Sequence, residues 1–386
     1  DFNAYIKDAE VIGHNIIGYD VPVLERLLGT DFSSCKITDT LVLSRLTDPS
    51  REGGHSLDSW GQSLGFPKGE HSDWDTFSQD MVDYCKQDVL VNVKVYNALR
   101  SVLAGFGSES ISLEHQVQSI ITKQTDNGWL LDQEHAFILL AKLKEKKYDL
   151  EDKVHETFKP LPTFIKEITP KYKKDGTMSV VGLKFLGDQW ENYTAPFSRI
   201  DYPAFNLGSR QQIGRYLQFF GWKPEKFTEK GHVIVDEAIL SKVTGIPEAN
   251  MIAEYLMVQK RIAQVQSWLD AVKDDGRVHG YVNANGAVTG RMTHSSPNVA
   301  QVPSSSAPYG KDCRACWTVP KGYKVVGMDA SGLELRMLAH YMNDEGYTNE
   351  ILTGDIHTAN QLASGVDTRS QAKTFIYAFL YGAGDA

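Results

Sequence analysis

The chain has 386 residues, enough for two or three domains that each bury a core of their own. Its 41% hydrophobic and 23% charged content is ordinary for a globular protein, no apolar run approaches a membrane span, and Asp1-Phe2-Asn3 does not begin a signal peptide. A net charge of −9 argues against a general nucleic-acid binder, while leaving room for a local basic cleft among carboxylates.

Residues 1 to about 105 alternate short apolar runs, Val11-Ile12 and Leu41-Val42-Leu43, with helical patterns, which predicts an α/β domain. Asn15-x-x-x-Tyr19-Asp20 follows a strand-like run and precedes a helical pattern. Farther on, the spacing of Tyr84-x-x-x-Asp88 places a hydroxyl and a carboxylate on one helical face. Phosphodiester hydrolysis by two divalent ions needs hard oxygen ligands and a group that orients water, and Asp20, Asp88 and Tyr84 are of those types. Taken singly, each Asp reads equally well as a helix cap and Tyr84 as a half-buried side chain.

From about 106 to 280 the pattern is mostly helical, with lysine-rich stretches such as Lys142-Leu-Lys-Glu-Lys-Lys147. The clearest helix is predicted over 251–273, where Ile252, Tyr255, Leu256, Ile262, Val265, Leu269 and Val272 share a face and leave Lys260 and Arg261 to reach solvent or phosphate. Prolines and a Lys-Lys-Asp-Gly turn at 173–176 predict an irregular insertion over about 158–204. Cys313-Arg-Ala-Cys316 has zinc-knuckle spacing but no second Cys/His pair nearby, so reduced cytosolic thiols are the expectation for all four cysteines. Asn192-Tyr-Thr194 matches a glycosylation acceptor, a pattern without weight in an intracellular protein.

The last hundred residues are the most informative. Val325-Val326-Gly327-Met328 predicts a buried strand ending at Asp329, where a sheet would fix the carboxylate and a loop expose it to metal. Thr368 with Gln371 is a capping box, so a helix should start at Arg369. Arg369 and Lys373 then fall at i, i+4 near its N-terminus, where like charges repel and oppose the helix dipole by a few tenths of a kcal/mol each. An anion would reverse that sign, which points to a phosphate site, with Tyr377 and Tyr381 along the same stripe as flat surfaces for a base.

These motifs carry a family resemblance over nearly the whole chain. The Asn15 to Asp20 and Tyr84 to Asp88 motifs, with Asp39-Thr-Leu-Val-Leu-Ser-Arg45 and His55-Ser-Leu-Asp-Ser-Trp60, resemble the DEDD-type 3′–5′ proofreading exonucleases. The first motif of that family, an upstream Asp-x-Glu strand, has no counterpart, since Asp8-Ala-Glu10 lies too close to Asn15; the domain as it stands is expected to be inactive. Asp329-x-Ser-x-x-Glu334-x-Arg336 resembles motif A of the family A (DNA polymerase I-type) DNA polymerases, and Arg369-x-x-x-Lys373-x-x-x-Tyr377-x-x-x-Tyr381-Gly382 resembles their motif B. Ala378 stands where that motif is expected to have glycine. Thr289-Gly290-Arg291 to Pro303 resembles the family segment that tracks the primer-template minor groove, which implies that Arg291, Asn298 and Gln301 supply donors to the acceptors that every correct base pair presents; Gly354-Asp-Ile-His357-Thr resembles the next segment, and the whole is most similar to the short replicative polymerases of podovirus-type phages.

The resemblance implies a multidomain α/β plus α+β chain: a partial RNase H-like 3′–5′ exonuclease domain at 1–105, a helical thumb at 106–280, and part of the palm and fingers of a right-hand polymerase at 281–386. It implies two-metal nucleotidyl transfer to a primer 3′-OH with Mg²⁺, or Mn²⁺ as a substitute. Asp329 and the Ala330 carbonyl would bind metal, as would Asp20 and Asp88 in the exonuclease domain. Glu334 would exclude a ribose 2′-hydroxyl, His357, Arg369, Lys373, Tyr377 and Tyr381 would hold the nucleotide, and Lys373 could donate a proton to pyrophosphate. Primer-template DNA and dNTPs are the implied partners, with host thioredoxin as a processivity factor through 158–204, in the host cytoplasm if the chain is phage-encoded. Motif C, the His-Asp-Glu with the second metal-binding carboxylate, is not found, so the chain is expected to be a piece that is inactive alone. Half of a split polymerase and a catalytically dead DNA-binding remnant are the competing readings.

Overall fold

A computed structural model describes residues 2–179 and 195–382. The chain divides into two compact units, Asp1–Lys321 and Gly322–Ala386. Among the described residues, no helix is long and apolar enough to cross a membrane.

The first unit begins with α1 (Phe2–Ile6) and a βαβ unit. Strand β1 (Glu10–Gly13) pairs in parallel with β2 (Lys36–Asp39), Val11 opposite Ile37 and Gly13 opposite Asp39, and α2 (Asp20–Leu28) makes the crossover. Gly29, at φ 63°, ends α2 in the left-handed conformation that a side chain would oppose. Strand β2 runs directly into α3 (Thr40–Thr47) because the Asp39 carboxylate accepts the Leu41 amide and caps the helix. The apolar run Leu41–Val42–Leu43, expected among strands, therefore lies in a helix and turns Val42 and Leu43 inward. Ser56 and Ser78 cap α4 (Leu57–Ser63) and α5 (Gln79–Leu103) in the same way. Val91, Val95 and Leu99, one turn apart on α5, close with Leu43 into a separate small core flanked by Leu57, Trp60 and Phe66.

The larger core follows in chain order. Helix α6 (Ser108–Asn127) and strand β3 (Trp129–Leu131) meet at Gly128, where φ is 62° and an added Cβ would stand 2.8 Å from the His279 ring. Strand β3 is the centre of a three-stranded antiparallel sheet, between β6 (Arg277–Val278) and β9 (Trp317–Thr318). Helix α7 (Gln133–Thr157) packs lengthwise on α10 (Pro247–Asp270), with α8 (Arg210–Phe219) and the short α9 (Glu237–Leu240) beside them. Phe158 stacks on Phe205 at 4.6 Å, and Trp268 is fully buried.

The helix predicted over 251–273 starts earlier, with Pro247 at its first position, and ends earlier, at Asp270. Of its expected core face, Ile252, Tyr255 and Val265 are buried, and Leu256, Ile262, Leu269 and Val272 are partly so. Arg261 was expected to reach solvent and does not. It is 9% exposed and donates to the Pro308 carbonyl at 3.3 Å, because a long α helix packed on two sides leaves a narrow wet face.

The insertion expected to be irregular contains paired structure: β4 (Thr163–Ile168) runs antiparallel to β5 (Phe197–Asp201). The turn at 173–176 forms as the composition suggested, with the Gly176 amide donating to the Lys173 carbonyl and Gly176 at φ 83°. Asn192 to Thr194 lie outside the described residues. Farther on, β7 (Tyr281–Asn283) and β8 (Thr293–Ser295) form a hairpin, and α11 (Gly310–Ala315) precedes β9.

The second unit is built from α12 (Leu333–Met342), α13 (Glu345–Thr353), α14 (Ile356–Ser364) and α15 (Arg369–Leu380). Asp344, Asp355 and Thr368 cap the last three through their side chains. The strand expected at Val325 to Met328 is not formed: the segment 323–330 has no regular structure, and Val325, Val326 and Met328 are 71%, 85% and 97% exposed. A strand exists only where a neighbour takes its amides and carbonyls, and none pairs with this segment among the described residues.

Candidate functional site

In the N-terminal region the three residues singled out for metal chemistry lie on two helices, Asp20 on α2 and Tyr84 with Asp88 on α5. Asp20 opens α2, where burial of its carboxyl, with the nearby Asp39 charge, raises its pKa above the ordinary carboxylate range. Asp39, buried at 1% exposure, is a structural group: its carboxylate accepts the backbone amides of Asn15, Ile17 and Leu41 at 2.9 to 3.1 Å. It thereby ties the Asn15 to Asp20 loop to the end of β2.

Tyr84 and Asp88 share a face of α5, as their spacing required, but the cation beside them is an ammonium. Lys68 Nζ lies 2.9 Å from Asp88 Oδ2 and 5.0 Å from the centre of the Tyr84 ring. Burial alone would lower the lysine pKa; its hydrogen bonds to Asp88 and Tyr84 overcome that and raise it. Asp88 Oδ1 is buried with no hydrogen-bond partner. His71 and Trp74 close the cluster, the Trp74 ring standing edge-on to Tyr84 at 5.3 Å. Lys68 was invisible to motif reading, because its role depends on a loop folding back over α5.

No group of three His, Cys, Asp or Glu side chains close enough to hold a metal occurs among the described residues. Asp329 and Ala330 sit exposed on the irregular segment, not at the end of a buried strand. Cys313 and Cys316 are fully buried in the large core; burial raises the Cys313 thiol and pushes Cys316 up to about 12, which suits apolar packing.

The second unit places His357 near Arg369, Lys373 and Tyr377, and Glu334 beside Tyr381. The capping box forms as the sequence indicated: the Gln371 amide donates to Thr368 Oγ1 at 3.2 Å, and the Thr368 amide to Gln371 Oε1 at 2.9 Å. Helix α15 then starts at Arg369 and packs along α14, which begins beside His357. The His357 and Tyr377 rings are 6.2 Å apart. Burial, then the Arg369 and Lys373 charges, lower the His357 pKa, and its Nδ1 is buried without a partner. The Tyr381 hydroxyl donates to Glu334 Oε1 at 3.4 Å, joining the residue expected to judge the sugar to the end of the stripe.

One expectation about this helix needs correction. Arg369 was read as awaiting an external anion, but Asp355 already supplies one: Nε reaches Oδ2 at 2.7 Å and Nη2 reaches Oδ1 at 3.0 Å. A legible signal existed, an Asp just before a helical pattern, since the same Asp355 carboxylate caps α14. Lys373 is exposed, and no carboxylate pairs with it among the described residues. Tyr347 was missed altogether: its hydroxyl is buried without a partner, and burial, then the neighbouring Tyr377, raises its pKa.

The minor-groove candidates lie on and after the β7–β8 hairpin. Arg291 and Gln301 are exposed, while the Asn298 side-chain oxygen accepts the Ala300 amide at 3.0 Å and caps a single 3₁₀ turn, Val299–Gln301. The Gln301 carbonyl accepts the Gln264 side chain at 2.8 Å, which ties this strip to α10.

The sequence profile described as DNA polymerase family A matches residues 184–386. The chain is 36% identical over 499 aligned positions to the DNA-directed DNA polymerase of Escherichia phage T7, covering 100% of this chain and 71% of that protein; the enzyme of Enterobacteria phage T3 gives the same figures. A thermostable DNA polymerase I from Thermus aquaticus is 32% identical over 46% of this chain and 23% of its own length. Among solved structures, the POL domain of Pol1 from M. smegmatis, in complex with DNA primer-template and dNTP, matches 99% of this chain and 60% of its own with a TM-score of 0.69 at 19% identity. That similarity establishes the fold, a multidomain chain with part of a right-hand polymerase. By the family profile and by its identity to the two phage enzymes, the chain belongs to DNA polymerase family A, a family of DNA-directed DNA polymerases.

Proposed function

We propose that this chain carries the nucleotide-binding side of a replicative DNA polymerase with an associated 3′–5′ exonuclease, acting on primer-template DNA and dNTPs in the cytoplasm of a phage-infected host. The observation that carries the reading is the convergence of His357, Arg369, Lys373 and Tyr377 on the adjoining helices α14 and α15. Two cations and an imidazole beside a helix N-terminus suit a triphosphate, and the Tyr377 and Tyr381 rings suit a base. Glu334, which accepts from the Tyr381 hydroxyl, would be the residue that rejects a ribose. Arg291, Asn298 and Gln301 would follow the minor groove, where hydrogen-bond acceptors at constant positions report correct pairing without reading sequence.

Two-metal transfer through Mg²⁺ or Mn²⁺ needs more than the Asp329 carboxylate and the Ala330 carbonyl, and the described side chains do not gather a further ligand set. The same holds for hydrolysis at Asp20, Tyr84 and Asp88, which we assign to a longer parent protein with the Asp-x-Glu strand. The domain limits 1–105, 106–280 and 281–386 and a thioredoxin contact through 158–204 belong to this reading; a pull-down that retains no reduced thioredoxin removes the contact.

The decisive experiment is equilibrium dialysis of labelled dGTP against the 386-residue chain and its Lys373→Ala variant. Binding that falls at least about tenfold in the variant is expected, from loss of a charge-assisted phosphate contact. Equal affinity for the two proteins would remove the phosphate from α15. Primer extension by the chain alone is expected to be negligible, and robust extension would overturn that.

A further inference from the structure

We propose that Asp355 is a built-in competitor for the terminal phosphate of the incoming nucleoside triphosphate, holding the Arg369 guanidinium until that phosphate displaces it. The proposal rests on the reading of Lys373 and Arg369 as phosphate-binding groups. Its own basis is the geometry of the pair. Two parallel bonds, 2.7 and 3.0 Å, join the guanidinium edge to both carboxylate oxygens, the same fork that an arginine presents to phosphate. Asp355 is not loosely placed: it also accepts the His357 amide at 3.1 Å, the Thr358 amide at 3.4 Å and the Thr358 hydroxyl at 2.9 Å. The carboxylate thus belongs to the rigid start of α14, while Arg369 opens α15, and one ion pair joins the two helix starts.

The cations along the stripe are unequal as a result. Lys373 lies one turn beyond Arg369, about 6 Å along the axis, and among the described residues no carboxylate pairs with it. An anion can settle on Lys373 without breaking an existing bond. A ligand that extends to Arg369 must first remove a carboxylate that matches the guanidinium as well as a phosphate does. Such a competitor lowers the apparent affinity only of ligands that use Arg369, because it reduces the fraction of molecules with that group available. A nucleoside diphosphate held by Lys373 escapes the penalty, and a triphosphate reaching Arg369 does not.

Asp355→Asn is a clean probe, since asparagine caps helices as well as aspartate but presents no second anionic oxygen to the fork. Equilibrium dialysis with labelled dGTP and dGDP, in Mg²⁺ and low salt, compares the unmodified chain, Asp355→Asn and Lys373→Ala. The expected result is a roughly three- to fivefold tightening of dGTP by Asp355→Asn, the scale of an exposed ion pair, with dGDP unchanged and helicity by circular dichroism unaltered. High salt should shrink the difference by screening the pair. Unchanged dGTP affinity in Asp355→Asn overturns the proposal and leaves the nucleotide site standing. Weaker dGTP binding also overturns it, making Asp355 a support for Arg369 and not a rival of the phosphate. If the unmodified chain binds no dGTP, or Lys373→Ala binds it equally well, the site and the proposal fall together.

Discussion

Near the N-terminus, Lys68 meets Asp88 at 2.9 Å with both side chains about one quarter exposed, Asp39 spends its carboxylate on three backbone amides, and His14 is enclosed 2.9 Å from the Thr40 hydroxyl. In the second unit, Asp355 and Arg369 pair in the open, Lys373 stays exposed, and His357 and Tyr347 each keep a buried polar atom with no partner. The first region uses its charges to hold loops on a small core, and the second keeps one cation, Lys373, exposed with no carboxylate paired to it among the described residues. Desolvation explains the difference: a buried charge must be paired at once, whereas an exposed one can wait for a ligand. Changes in the first region should therefore register as stability and changes in the second as binding.

The largest expected stability effect is acidification of the N-terminal region. Burial, with help from the charges of Arg45, Lys68 and His55, pushes the His14 pKa down to about 4, against an ordinary value near 6.5. The unfolded chain therefore takes up this proton first, and stability is complete above about 6.5 and lost as the pH falls towards 4. The shift corresponds to roughly 3 kcal/mol. The opening free energy of the Val42 and Leu43 amides, taken from hydrogen exchange corrected for the intrinsic exchange rate at each pH, should fall as the pH drops through that window, and His14→Gln should flatten the dependence. A pH-independent opening free energy in the unmodified chain would break the contrast.

Next comes Lys68→Met, which strands Asp88 beside its unpartnered oxygen and should cost about 1–2 kcal/mol in urea unfolding of the same region. No loss of stability would mean that water already serves Asp88 and that the ammonium is replaceable. The mildest test sits in the other region: Thr368→Ala removes the capping box and should cost α15 about 1 kcal/mol, seen as faster exchange at the Gln371 and Ala372 amides. dGTP affinity should then fall only slightly, because the cations remain. A collapse of binding in this variant would tie affinity to helix order more than to charge.

How much was readable beforehand varies with the range of the interaction. The capping box, the start of α15 at Arg369, the shared face of Tyr84 and Asp88 and the turn at Gly176 all depend on residues within four positions of one another, so spacing revealed them. Partners 14 or 20 residues away, Asp355 for Arg369 and Lys68 for Asp88, left no periodic trace. The same limit explains the misread apolar runs. Leu41–Leu43 has strand-like composition, but Asp39 caps a helix there, and Val325–Met328 has the residues of a strand without a neighbour to pair with.

By itself the sequence determined the order of motifs, the helices that carry them and the family to which they point, because these follow from local chemistry along one chain. Only the tertiary structure decided which charges are paired inside the protein and which stay exposed. That choice turns on desolvation and on partners distant in sequence, so Asp88 and Lys373, equally conspicuous as letters, end in opposite electrostatic states.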